Sequence, residues 1–159
     1  MPTNTQRVVG AIASIGITVG GAWLASKAHS DLASTAQAEF PNGVSLTFKN
    51  VRNAKGNIVV MVFDNRDAFK SYDYSRAVRY AEVAARHGDV AVTFPDLRTG
   101  PLAIAAFHDE DKDQDLNMEG DWPSEGYATS GALDAYDTPT FRGASLSNSD
   151  VTITMYYAN

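Results

Sequence analysis

"VSLTFKNVRNAKGNIVVMVFD", residues 44–64, decides the fold class. Val44, Leu46 and Phe48 alternate with Ser45, Thr47 and Lys49, the period-two pattern of a strand with one buried face. Lys55-Gly56-Asn57 carries turn chemistry, and residues 58–64 form an apolar run suited to a central strand. The two segments are expected to pair as a hairpin. Outward from here, "DVAVTF" (89–94) and "PLAIAAFHD" (101–109) predict a second pair across "PDLRTG", and "DVTITMYY" (150–157) a last strand. Between them, "DAFKSY" suits a helical turn and residues 77–84 a further strand. About seven strands with turn signals roughly every 8–12 residues predict an all-β sandwich.

Composition agrees with a packed domain. The chain has 159 residues, 44% of them hydrophobic, which is ample for a core. A net charge of −6 disfavours nucleic acid and anionic lipid surfaces as partners. With no cysteine, disulfides, thiolate metal sites and a cysteine nucleophile are excluded.

The N-terminus reads differently. "VVGAIASIGITVGGAWLAS" (8–26) is nineteen residues without a charge, long enough at about 1.5 Å per residue to cross a bilayer. Residues 1–26 are therefore expected to form a signal anchor, a single transmembrane helix in the inner membrane with the rest periplasmic. The competing reading is a cleaved signal peptide, cut after Ala28 or Ala38, leaving a periplasmic or secreted protein. Gly16 with Gly20, and Gly10 with Ser14, make small-xxx-small pairs that let another helix pack closely, as in a subunit of a membrane complex. Residues 27–43 read as a linker, and 44–159 as the folded domain.

"FHDEDKDQDLNMEGDWPSEGY" (107–127) crowds eight acidic residues around one lysine. Asp109, Asp111 and Asp113 occupy the first, third and fifth positions of a calcium loop, Leu116 the eighth and Asn117 the ninth. Alternate residues of a tight loop can turn carboxylates inward towards a hard cation. Asp115 and Glu119 complete the candidate Ca²⁺ ligands. Two positions depart from the EF-hand pattern: Gln114 stands where the turn needs glycine, and Gly120 where the bidentate Glu belongs. The alternative is a solvated acidic loop.

A carboxylate-based hydrolase would use Glu119, Asp121 or Glu125 beside Trp122 and Tyr127. Yet no spacing singles out a catalytic pair. Ser124 and Ser130 lack a nucleophile elbow, and His108, beside Asp109, reads as structural.

In order, "FPDLRTGPLAIAAFHDEDKDQDLN", "EGDWPSEGYATSG" and "DTPTFRGASL" resemble the bacterial family catalogued as domain of unknown function 2141. The likeness covers about Val44 to Tyr157. Its His-Asp pair falls on His108 and Asp109, its two Asn positions on Asp111 and Asp113, and its Leu-Asp on Leu116 and Asn117. Its Pro-x-Glu-Gly-Tyr element falls on Pro123, Glu125, Gly126 and Tyr127, and its serine on Ser130. The chain departs at Gln114, where the family has glycine, and at Ala128-Thr129. The resemblance implies an exported sandwich of immunoglobulin-like or transthyretin-like type, and no reaction.

The expectation is thus a non-catalytic, membrane-tethered periplasmic accessory protein with a protein partner and a Ca²⁺-binding loop. The alternatives are a soluble carbohydrate- or peptide-binding module that stacks its ligand on Trp122, Tyr127 and Tyr136, and the hydrolase above.

Overall fold

A computed structural model of the protein describes residues 38–158. The expected anchor, its Gly10, Ser14, Gly16 and Gly20 faces, and most of the linker lie outside the described residues. Among the described residues no helix is long and apolar enough to cross a membrane.

The domain is mainly β. Strands β1 (Val44–Val51), β2 (Asn57–Phe63), β3 (Arg79–Ala84), β4 (Gly88–Phe94), β5 (Ala103–Asp109), β8 (Gly126–Thr129) and β9 (Asp150–Thr154) form two sheets. One has the order β4-β1-β9, the other β3-β2-β5-β8. The second is antiparallel throughout, whereas β1 and β9 run parallel. The two-residue strands β6 (Met118–Glu119) and β7 (Trp122–Pro123) make a separate small hairpin. Helix α1 (Arg66–Ser71) follows β2, a 3₁₀ turn (Tyr74–Arg76) precedes β3, and α2 (Phe141–Ala144) precedes β9.

The core lies between the sheets. Leu46 and Phe48 of β1, Val90 and Val92 of β4, and Ile153 of β9 meet Ile58, Val60 and Val62 of β2 and Ile104 of β5. Strands β1 and β4 bury only this face, so their sequences alternate. Strand β2 is buried on both. Its other residues, Val59, Met61 and Phe63, join Ala105 and Phe107 beneath Ala68 and Phe69 of α1 and Ala144 of α2. That is the physical origin of the uninterrupted run "IVVMVF".

Both expected hairpins are corrected. Strand β1 pairs with β4 and β9, while β2 pairs with β3 and β5, so "RNAKG" crosses between sheets. Residues 95–102 likewise cross from β4 to β5. Turn residues reverse a chain without choosing its partner, and here the reversal spans the core.

Residues 38–43, read as the end of the linker, are part of the folded unit. Phe40 is fully buried, Glu39 bridges Thr99, and the Gly100 amide donates to the Ala38 carbonyl at 3.0 Å. The last strand ends at Thr154 rather than Tyr157, because Tyr156 leaves to bridge Tyr127 of the other sheet.

Candidate functional site

The acidic segment leaves the end of β5 and returns at β8, with the β6–β7 hairpin between. Its root is buried. His108 and Asp109 are fully enclosed, and Glu125, at the entry to β8, nearly so. Gly56 makes this closeness possible. Its φ is 64°, and a Cβ built on it would lie 1.7 Å from the Asp109 carbonyl oxygen, so no other residue fits.

His108 belongs to a structural chain of hydrogen bonds. Its Nε2 lies 2.7 Å from the Lys55 carbonyl oxygen, which can only accept, so Nε2 carries the proton. Nδ1 accepts from the Tyr157 hydroxyl at 3.0 Å, and that oxygen accepts from the Arg52 amide at 3.1 Å. The Arg52 guanidinium lies 4.7 Å from the centre of the Tyr157 ring. Burial pushes the Tyr157 hydroxyl above its ordinary pKa, against the hydrogen bond and charge from Arg52. The histidine thus ties the chain crossover to the C-terminus.

Asp109 organises the loop. Its two carboxylate oxygens accept from the amides of Asp113 and Gln114, each at 3.1 Å. Asp111 accepts from the Asp113 amide at 3.3 Å and from the Asn117 side-chain amide at 2.9 Å. These bonds wind the loop tightly enough that Gln114 takes φ 67°. The turn that favours glycine is therefore made here by glutamine.

Glu125 closes the loop from the far side. One oxygen accepts from the Glu110 amide at 2.7 Å, the other from the Asn117 amide at 3.2 Å. Carboxylate oxygens of Asp109, Asp111 and Glu125 all lie within 4.8 Å of one another. Burial raises the pKa of Glu125, the two amide bonds oppose this, and the charges of Asp111 and Asp109 add to the rise. Burial acts on Glu110 too, but hydrogen bonds from Arg52 and Asn53 outweigh it and hold that pKa below its ordinary value.

Of the six residues expected as Ca²⁺ ligands, two converge. Asp113 and Asp115 instead accept from the amides of Asp115 and Leu116, each at 2.9 Å, with their side chains on the exposed rim. Asn117 supports Asp111. Glu119 lies in the β6–β7 hairpin, away from the cluster. The sequence pattern did not include Glu125 among the metal ligands, because it reaches the cluster only through the return of the chain at β8. Carboxylates and amide oxygens suit Ca²⁺, and each bonded oxygen keeps a second lone pair.

Beyond the hairpin opens a cavity of about 690 Å³, lined in part by Arg52, Glu119, Trp122, Tyr127 and Tyr136. Trp122 and Tyr136 meet edge to face at 5.3 Å between ring centres, with 49% and 74% of their surfaces exposed. The Tyr127 hydroxyl donates to the Ala135 carbonyl at 2.6 Å, which fixes that ring. All three aromatic residues expected to stack a ligand therefore line one cavity. Of the acids in the hydrolase reading, Glu119 lines this cavity, and Glu125 belongs to the carboxylate cluster. Ser130 is buried and bonded to backbone: its hydroxyl accepts from the Ile104 amide at 2.9 Å and donates to the Ala144 carbonyl at 2.6 Å.

A family model described as "Uncharacterized protein conserved in bacteria (DUF2141)" matches residues 46–155. No curated protein and no solved structure matches the chain.

Proposed function

The chain belongs to this uncharacterised bacterial family, and from that premise we propose a non-catalytic, membrane-tethered periplasmic accessory protein whose acidic loop binds Ca²⁺. In this reading the sandwich is of the immunoglobulin-like or transthyretin-like kind, and residues 1–26 are the anchor that brings a partner helix against Gly10, Ser14, Gly16 and Gly20. One observation carries the calcium assignment. Three carboxylates from two separate chain segments, two of them buried, bring oxygens within 4.8 Å of one another. Their mutual repulsion is a standing cost that a divalent cation relieves.

Thermal unfolding of the full chain in EDTA and in millimolar Ca²⁺ tests the assignment. Binding to the native state adds RT ln(1 + [L]/Kd), about 2.7 kcal/mol at a hundredfold excess over Kd. A rise in Tm that Glu125→Gln with Asp111→Asn abolishes supports the site. Equal curves in both buffers reduce the segment to a solvated loop. Fractionation addresses the tether, since an anchored chain stays with the membrane after a high-salt wash and a cleaved one does not.

A second reading rests on the cavity beside Trp122, whose exposed aromatic faces suit the apolar face of a carbohydrate. Titration with oligosaccharides, following tryptophan fluorescence in wild type and Tyr136→Ala, checks it.

A further inference from the structure

A second cavity, about 670 Å³, lies between α1 and α2, and its lining has a different chemistry from the acidic end. Arg66 and Lys70 of α1 and Arg142 of α2 face it, and among the described residues no acidic one does. In a chain of net charge −6 this runs against the field of the whole molecule. Arg66 and Lys70 stand four residues apart on one helix face, where like charges repel. Among the described residues, none of the three takes part in an ion pair.

The floor is aromatic. Phe69 meets Phe141 edge to face at 5.9 Å and Tyr72 at 6.0 Å between ring centres. Tyr72 ends α1 in the left-handed conformation, φ 48°, with 45% of its surface exposed. The backbone would favour glycine there, so a bulky exposed ring at that position stands out against the local preference. Thr138 and Thr140 complete the rim with hydroxyl groups.

We propose that this cavity binds a phosphate monoester with a ring-bearing or apolar body. Three cations match a doubly charged head better than a single carboxylate, and the two guanidinium forks suit phosphate oxygens. Phe69, Tyr72 and Phe141 take the body, and the volume is that of a small-molecule pocket. The site is independent of calcium and of the Trp122 cavity.

Calorimetric titration of the full chain with 1-naphthyl phosphate, 1-naphthol and inorganic phosphate tests this. The expected result is that naphthyl phosphate binds at least tenfold tighter than either fragment and weakens as salt rises. Arg66→Gln with Arg142→Gln should reduce that affinity at least tenfold with an unchanged unfolding temperature, and Lys70→Gln alone should reduce it less. Equal affinity for naphthol would make the cavity merely apolar and overturn the proposal. So would equal affinity for inorganic phosphate, no binding of naphthyl phosphate, or undiminished binding by the double variant. Flotation with phosphatidic acid vesicles separates the sources: capture that naphthyl phosphate competes away identifies a lipid headgroup, and its absence a soluble ester.

Discussion

Strands β2 and β5 lie side by side, with an acidic loop at one end and a cavity of basic lining near the other. At one end Asn57 pairs with Asp109 and the acidic loop begins; at the other Phe63 pairs with Ala103 beneath α1 and α2, beside the basic cavity. Seven residues of β5 put roughly 20 Å between them. The acidic end is internally bonded. Asp109, Asp111, Asp113 and Glu125 each accept from backbone amides, so these acids shape the chain whatever else they bind. The cations at the basic end shape nothing comparable; they share a cavity lining with Phe69, Tyr72 and Phe141 and have no ion partners among the described residues. One end is built by its charges, and the other displays them.

That contrast predicts where substitution hurts. Gly56→Ala should have the largest effect. Its methyl would overlap the Asp109 carbonyl at a positive φ, and the expected loss is about 3–5 kcal/mol, read by urea denaturation. Ser130→Ala should follow, losing about 1–3 kcal/mol because the buried Ile104 amide and Ala144 carbonyl lose their shared partner. Arg66→Gln or Lys70→Gln at the basic end should leave stability within about 0.5 kcal/mol of wild type. A large loss there would break the comparison.

The sequence pattern revealed strands better than partners. Alternation in β1 and β4 follows from one buried face, and the run in β2 from two, so each strand was visible locally. Pairing was not, because "RNAKG" has the same turn residues whether the chain folds back in one sheet or crosses to the other. In the acidic loop, Asp109 and Asp111 stood out by spacing. Glu125 did not stand out as a ligand, since its approach depends on β8 pairing with β5. The basic cavity left no local pattern at all. Arg142 is distant in sequence from Arg66 and Lys70, and only the packing of α2 beside α1 joins them.

Within the acidic end, two glutamates should titrate with opposite sign in EDTA. Glu110 has a lowered pKa, so its contribution is present above its unfolded value, about 4.5, and is lost as pH falls through the lower folded value. Glu125 has a raised pKa. Its ionised form is penalised at neutral pH, and the penalty is relieved as pH falls through a folded value above 4.5. Denaturation of Glu110→Gln and Glu125→Gln at pH 7 and pH 4 should therefore show opposite trends. The gap between wild type and Glu110→Gln narrows on acidification, while that for Glu125→Gln moves in favour of wild type. Parallel trends would mean the two carboxylates share one environment.

A small gain in stability sharpens the comparison most. Gln114 holds φ 67° where the Asp109 carboxylate captures its amide and that of Asp113. A left-handed conformation costs a non-glycine residue about 1–2 kcal/mol, partly offset by the greater freedom glycine has when unfolded. Gln114→Gly should therefore raise stability by about 0.5–1 kcal/mol in EDTA, measured as a shift in denaturation midpoint at constant slope. Lys112, at φ 66°, lacks the Asp109 bond and serves as the control: Lys112→Gly should gain a similar amount. If both gain and Ca²⁺ affinity rises only for Gln114→Gly, the turn held by Asp109 is the one that sets the cation site. If neither gains, the loop relaxes away from these angles in solution and the carboxylates do not hold it wound.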